Sequence, residues 1–352
     1  MAKTIRTIDE MLKRDSWSGK TFELVGAKVA VWRSKSRDPI YIHDQKNFTI
    51  DGGLKGITIY GTSLILHRCT NVTLRNLTIR LGAKDLTRDK REKRKDKFSS
   101  SDYNGEALKI KRCQKVTVEN CTFSWGLDET VSIQDSKDVK VSDSLIVYPL
   151  DRPRNFKGKP IWEKKEEKEH AYAIQTPGSR GVSYRRCVIA HAERRSPQFA
   201  ADGRYETDGE VRHSVIYNFT KYGAQFNANA KGDFKLRIHD NYYTPGPKAD
   251  DAINIESPKK GAVFVKYWRN IEGTPHEFQH GGWSKVKPKA EGKRVYLDNE
   301  GDGYPRTRFA DIVKGAGPKG IQPPYTRTTK RQILDGKLPP LLSPHEPKDF
   351  DG

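Results

Sequence analysis

KVTVENCTFSWG, residues 115–126, followed by DVKVSDSLIVYP, residues 138–149, is the stretch that decides the fold. Each half alternates apolar and polar residues, breaks at Asn120 or Asp143, and resumes as a short apolar run. Period-2 alternation over four to six residues rich in Val, Ile and Thr, punctuated by Asn, Asp or Gly, is the signature of short strands. The same unit recurs in both directions. NFTIDG begins at Asn47 and NVTLRNLTIRLG at Asn71; GVSYRRCVIAHA begins at Gly181, EVRHSVIYNF at Glu210 and KLRIHDNYYTPG at Lys235. Superposing the units puts Leu74, Val118, Val141, Tyr184, Val211 and Ile238 at one equivalent position, with intervals of 44, 23, 43, 27 and 27 residues. A coil of a parallel β-helix takes roughly twenty residues or slightly more. The two long intervals are therefore one coil plus an insertion, and polar insertions of that size lie at 84–103 and 149–169.

The cysteines keep the same register. Cys69 and Cys113 each stand three residues before a strand valine, Val72 or Val116, and Cys121 aligns with Cys187, with Ser144 in the coil between. Ladders of small residues are what stacked coils produce, so the four thiols are expected to be buried and reduced. No CxxC pair or His/Cys cluster points to zinc.

The predicted architecture is an all-β right-handed parallel β-helix in one domain covering 1–352. Residues 1–40 form an N-terminal cap, 41–275 the coils, and 276–352 the C-terminal loops, short helices and tail. Helical signals are confined to the ends. TIDEMLKRDS has an apolar i, i+3 pattern and is placed as a cap on the open end of the solenoid; RFADIVKGAG and TTKRQILDG read as short amphipathic helices. No apolar run approaches the length of a membrane span. MAKTIRTIDEMLKRDSWSGK contains no apolar core of a secretory signal, which leaves the compartment open between the cytoplasm, release by lysis and secretion with a signal removed.

Lys and Arg number 65 against 45 Asp and Glu, a net charge of +20 spread along the chain. Such a field attracts polyanions. On charge alone nucleic acid, membrane lipid, acidic sugar and a plain basic surface all stay open; the basic residues match no nucleic-acid module, and the expected state is a monomer.

NVTLRNLTIRLG, GEALKI, VTVENCTFSWGLDETVSI, RRCVIAHAERRSP, VIYNF and NYYTPGP, in this order, resemble the bacterial pectate lyases of polysaccharide lyase family one. The resemblance runs from about residue 40 to 335 and includes AGP followed by a helix of the RQILDG type. The glycine-rich N-terminal segment common in that family is absent. The resemblance implies calcium-assisted β-elimination on pectate or a related uronan, and so an acidic polysaccharide as the partner rather than nucleic acid or membrane.

It also implies a site. Glu106 in NGEALKI and Asp128 in WGLDETVSI stand just before apolar runs, where the family holds calcium. Calcium needs several hard oxygen ligands from different chain segments. Asn104 and Ser132 fall where further acidic ligands are usual, with Asp102 and Glu129 nearby. In ERRSPQF the Arg-x-Pro pattern places the catalytic base at Arg195, with Arg194 beside it, and a second arginine usual five residues on is Ala200 here. An arginine is protonated at any accessible pH unless nearby cations and desolvation disfavour the charge. The competing structural explanation is that Arg195 stacks on Pro197 or pairs with Glu193. His170, opening AYAIQT, matches a lysine or histidine that touches the substrate carboxylate or leaving oxygen. Lys109, with Lys111 and Arg112, is a weaker substrate-binding candidate, otherwise a solvated strand-edge charge. Trp125 and Trp162 are candidates for stacking on sugar, against packing beneath a loop for Trp125. The loop at 84–97, with eight cations and four anions, has the composition of a solvated segment and would clamp a polyanion if ordered.

Two other functions compete. A glycoside hydrolase would need two carboxylic acids flanking the bond, and adjacency of Asp128 and Glu129 in one strand would point them to opposite faces. A non-catalytic polyanion-binding β-helix, virion-associated for instance, would account for the incomplete acid set and the missing second arginine.

Overall fold

The computed structural model describes residues 2–26, 31–33, 38–82, 105–151, 171–201, 207–227, 233–256, 261–291, 294–301 and 303–339. The chain winds as a right-handed parallel β-helix. Complete coils contribute one strand to each of three sheets, here numbered by their order within a coil and counted over the described residues. Sheet 1 has nine strands, among them Leu108–Lys111, Glu129–Gln134 and Tyr172–Pro177. Sheet 2 has eleven, including Gln114–Glu119, Lys137–Ser142 and Arg180–Arg185. Sheet 3 has ten, including Thr122–Ser124, Leu145–Val147 and Val188–Ala190.

The register is the one that the repeat implies. Leu74 pairs with Val118, Val118 with Val141, Val141 with Tyr184, Tyr184 with Val211 and Val211 with Ile238. These side chains point inward and stack along the axis. Alternation then sends Thr117, Lys140 and Arg237 outward from sheet 2, as period 2 requires.

The corner from sheet 2 to sheet 3 is uniform. Asn76, Asn120, Asp143, Arg186, His213, Asp240 and Arg269 all adopt left-handed backbone with φ between 46 and 56°. Asn and Asp enter that region most readily among non-glycine residues. Each is followed by a residue that packs into the coil, and the polar ones hydrogen-bond from rung to rung. The Cys121 amide donates to Ser144 Oγ at 3.1 Å, Cys187 to Ser214 Oγ at 3.1 Å, and Ser214 to Asn241 Oδ1 at 2.9 Å. Asn241 Nδ2 also donates to the Val211 carbonyl and to Asn270 Oδ1, both at 3.0 Å. A second ladder runs through the corner from sheet 1 to sheet 2, where the Cys69, Cys113 and Ser136 amides donate to Cys113, Ser136 and Ser179 in turn. All four cysteines are free and buried, and burial pushes Cys121 and Cys187 up to about 12.

Helices lie near both termini of the chain. α1 (Ile8–Leu12) starts at Thr7, whose side chain accepts from the Glu10 amide at 3.2 Å, and it buries Ile8 and Met11. Three more helices follow the coils: α2 (Pro275–His280), α3 (Phe309–Gly315) and α4 (Pro324–Leu334). Helix α2 lies outside the helical segments expected above, although Thr274 and Glu277 form a capping box that the sequence pattern T-x-x-E announces. Helix α4 covers the outer face of sheet 3. Its Tyr325 ring lies 5.3 Å from Trp125 and 4.7 Å from the Arg80 guanidinium, and Gln332 accepts from the Tyr148 hydroxyl. Lys330 donates to the Lys314 and Ala316 carbonyls at the end of α3, tying the two helices together.

Candidate active site

The chemistry-bearing residues gather where sheet 3 hands over to sheet 1. Two glycines bring the first two segments together. Gly105, at φ 91°, sits so close to Leu127 that an added Cβ would lie 2.8 Å from the Leu127 Cβ. At Gly126 a Cβ would lie 2.4 Å from the Glu129 carbonyl oxygen and 2.6 Å from the Thr130 Cα. The Leu127 amide donates to the Gly105 carbonyl at 2.7 Å, and the Ala107 amide to the Thr130 carbonyl at 2.9 Å. The GEALKI and WGLDET segments are thereby locked side by side, with Glu106 next to Asp128 and Glu129.

The third segment is pinned from both flanks. The Ile174 amide donates to the Arg195 carbonyl at 2.8 Å and the Ser196 amide to the Gly223 carbonyl at 3.0 Å. Arg195 has φ 61° and precedes a cis Ser196–Pro197 bond. Its guanidinium donates to Glu129 through Nη1 and lies 4.0 Å from the centre of the Tyr172 ring. Arg194 lies 4.9 Å from the same ring and donates to the Tyr172 hydroxyl at 2.7 Å. Tyr172 is thus the common seat of both arginines. Sequence reasoning missed it; the aromatic opening the strand after His170 was the only available signal.

Electrostatics are crowded here. Glu106 and Glu129 are 3 % and 2 % exposed, while Asp128 is half-buried. Lys109, also buried, stands 3.4 Å from Glu106. Burial, and then the charges of Asp128 and Glu106, push Glu129 up to about 8 despite the opposing pull of Arg195. Burial also raises the Tyr172 hydroxyl, against the pull of Arg194 and Arg195.

Glu106, Asp128 and Glu129 are oxygen donors of the kind calcium takes, and Asp128 and Glu106 are near enough to raise Glu129. Their carboxylate oxygens do not all lie within 4.8 Å of one another; among the described residues only His213, His239 and Asp240 close that tightly. A calcium ion held by Glu106, Asp128 and Glu129 would need these side chains to close on it, and Lys109 and Arg195 engage two of the three in this structure.

Three expectations need correcting. Trp125 cannot stack on a sugar, because it is wholly buried between Tyr60 and Tyr325 beneath α4, on the opposite side of the corner from Glu129. Lys109 is no solvated strand-edge charge; it is 1 % exposed and engaged with Glu106. The alternation argument about Asp128 and Glu129 also lapses, since the strand begins at Glu129 and Asp128 belongs to the preceding bend. Arg194 reaches Tyr172 and Glu129 reaches Arg195, whereas Asn104, His170 and Trp162, and the basic loop at 84–97, lie outside the described residues.

No family model matches the chain. A probable pectate lyase C of Neosartorya fischeri is 25 % identical over 193 residues, which is 54 % of this chain and 37 % of that protein. The corresponding protein of Aspergillus terreus is 23 % identical over the same share. The chain therefore spans little more than a third of the length of these relatives. Among solved structures, a pectate lyase from Paenibacillus sp. 0602 superposes over 93 % of both chains with a TM-score of 0.52 at 12 % identity. The chain has the pectate lyase fold.

Proposed function

We propose that this protein cleaves an acidic uronan, polygalacturonate in the simplest case, by β-elimination at the corner that holds Glu129 and Arg195. The observation that carries this reading is the cluster that Glu129, Arg195, Tyr172 and Arg194 form at one corner, with Glu106 and Asp128 beside Glu129. The relatives named pectate lyase C supply the polymer class.

Elimination removes the proton α to the uronate carboxylate. The electrons of that C–H bond form the new carbon–carbon double bond as the bond to the glycosidic oxygen breaks, and the leaving oxygen takes a proton from solvent. We assign the α-proton to Arg195: while paired with Glu129 its guanidinium stabilises the developing anion, and it acts on the proton when the two are apart. Tyr172 and Arg194 position it. Calcium, when bound, withdraws electron density from the substrate carboxylate and acidifies the α-proton. Glu106, Asp128 and Glu129 would hold it, and Lys109 steadies Glu106.

One observation favours hydrolysis as a second reading. A buried carboxyl pushed up to about 8, Glu129, beside a more exposed acid, Asp128, is the pairing that a glycosidase uses. The experiment that separates the two is an ultraviolet assay for unsaturated uronate from polygalacturonate, run with calcium and with a chelator. Absorbance rising only with calcium is expected. New reducing ends without absorbance would select hydrolysis, and neither signal would leave a binding protein.

A further inference from the structure

The outer face of sheet 2 lies away from the corner just described, and among the described residues nothing packs over it. One row of outward positions crosses six rungs, with a bulge just after Arg180: Lys137, Arg180, Asp208, Lys235, Phe264 and Tyr296. Rungs recur every ~4.8 Å, so the row runs along the solenoid axis. Arg180, Lys235, Phe264 and Tyr296 are exposed and Lys137 is half-exposed.

Three features set this line apart from an ordinary solvated face. Lys137 and Arg180 are directly opposite each other, a like-charge pair that costs stability in a sheet. None of Lys137, Arg180 and Lys235 makes an ion pair among the described residues, although elsewhere the coil answers its arginines with acids one rung back. Arg68 with Asp44, Arg75 with Asp51, Arg186 with Asp143 and Arg269 with Asp240 are examples. The row ends in two rings stacked at 5.2 Å and 14°, and Tyr296, 56 % exposed, sits on the last strand of the sheet. Stacked aromatics left in water are uncommon unless something covers them. A neighbouring row crowds cations further, with Arg185 opposite Arg212. There the Arg185 guanidinium is held below its usual range, by desolvation first and then by Arg186 and Arg212.

We propose that this row is a second, non-catalytic track for an acidic polysaccharide, which lays carboxylates on Lys137, Arg180 and Lys235 and a sugar ring against the Phe264–Tyr296 stack. The track holds polymer on the face away from the reacting corner and raises its local concentration there. The proposal rests on the proposed function only for the class of polymer.

The test uses the full chain carrying Arg195→Ala, so that polymer is retained, and measures its affinity for polygalacturonate and for double-stranded DNA. Adding Arg180→Glu and Lys235→Glu should weaken polygalacturonate binding by about tenfold at low salt. Phe264→Ala with Tyr296→Ala should weaken it about threefold. Lys55→Glu with Arg331→Glu changes the net charge equally on exposed residues elsewhere and should have little effect. In the otherwise unaltered protein, the four track substitutions should leave cleavage of a trisaccharide unchanged. Unchanged polymer affinity in both track variants, an equal loss in the control, or tighter binding to DNA than to polygalacturonate would each overturn the track. Because binding is read without turnover, failure of the eliminative activity would not hide the result.

Discussion

The corner from sheet 2 to sheet 3 and the corner from sheet 3 to sheet 1 are built on opposite principles. The first repeats one solution in seven rungs, a left-handed residue followed by a small or apolar one, and its hydrogen bonds run in ladders. The second differs in almost every rung, carries both long insertions, and collects Glu106, Asp128, Arg194 and Arg195. The uniform corner fixes the register, and a fixed register is what lets the other corner place charges from three rungs against one another. Stability and chemistry are thus divided between two edges of one coil, and substitutions should separate them.

The largest expected effect is on chemistry. Arg195→Ala should lower turnover of polygalacturonate by roughly a thousandfold or more, while its urea midpoint stays close to that of the parent. A variant that kept near-normal turnover would remove Arg195 from the reaction and leave the site corner without its defining residue.

The mirror experiment is Asn241→Leu in the uniform corner. It orphans the buried Ser214 amide and the Val211 carbonyl together, and should cost about 3 kcal/mol in chemical denaturation. Turnover per folded molecule should not change. A loss of turnover with unchanged stability would show that the two corners are not separable.

Gly126→Ala sharpens the comparison because it falls between the two. The new methyl group cannot fit against Glu129 and Thr130, so stability should fall by about 1–3 kcal/mol. The shift of Glu129 should also raise the calcium needed for half-maximal activity. An unchanged calcium requirement would count against Glu129 as a ligand.

The smallest effect concerns His239, beside the uniform corner. Burial lowers its basicity, but hydrogen bonds with Asp240 at 2.8 Å and Glu210 at 3.4 Å outweigh that, and the net shift is upward. Trp268 stacks on its face at 3.9 Å, His213 meets its edge, and Arg269 holds Asp240 from the other side. A histidine with a raised folded-state value contributes stability that is complete below the pH of a free imidazole, about 6.5, and is lost as pH rises through the raised value. His239→Gln should therefore destabilise by about 1 kcal/mol near pH 5, with the deficit shrinking above neutrality. A deficit that grew with pH would reverse the assignment.

The coil was legible because its signal repeats. Leu74, Val118, Val141, Tyr184, Val211 and Ile238 proved to be successive partners in one sheet, and the cysteine and serine positions became the ladders. Glu106, Asp128, Glu129 and Arg195 were legible only through motifs, since nothing in local periodicity says which rungs adjoin. What escaped depends on tertiary contacts. Trp125 looked available for sugar, yet its left-handed backbone turns it under a helix two hundred residues further along the chain. Tyr172 looked like any strand aromatic until the Arg194–Arg195 segment was laid across it.

The central claim is that this corner breaks a glycosidic bond without adding water. Digesting polygalacturonate in heavy-oxygen water and weighing the products tests it most directly. Elimination predicts fragments lighter by one water than hydrolysis products, with no heavy oxygen incorporated at the cleaved bond. Fragments carrying one heavy oxygen each would contradict the account and assign Glu129 and Asp128 to hydrolysis.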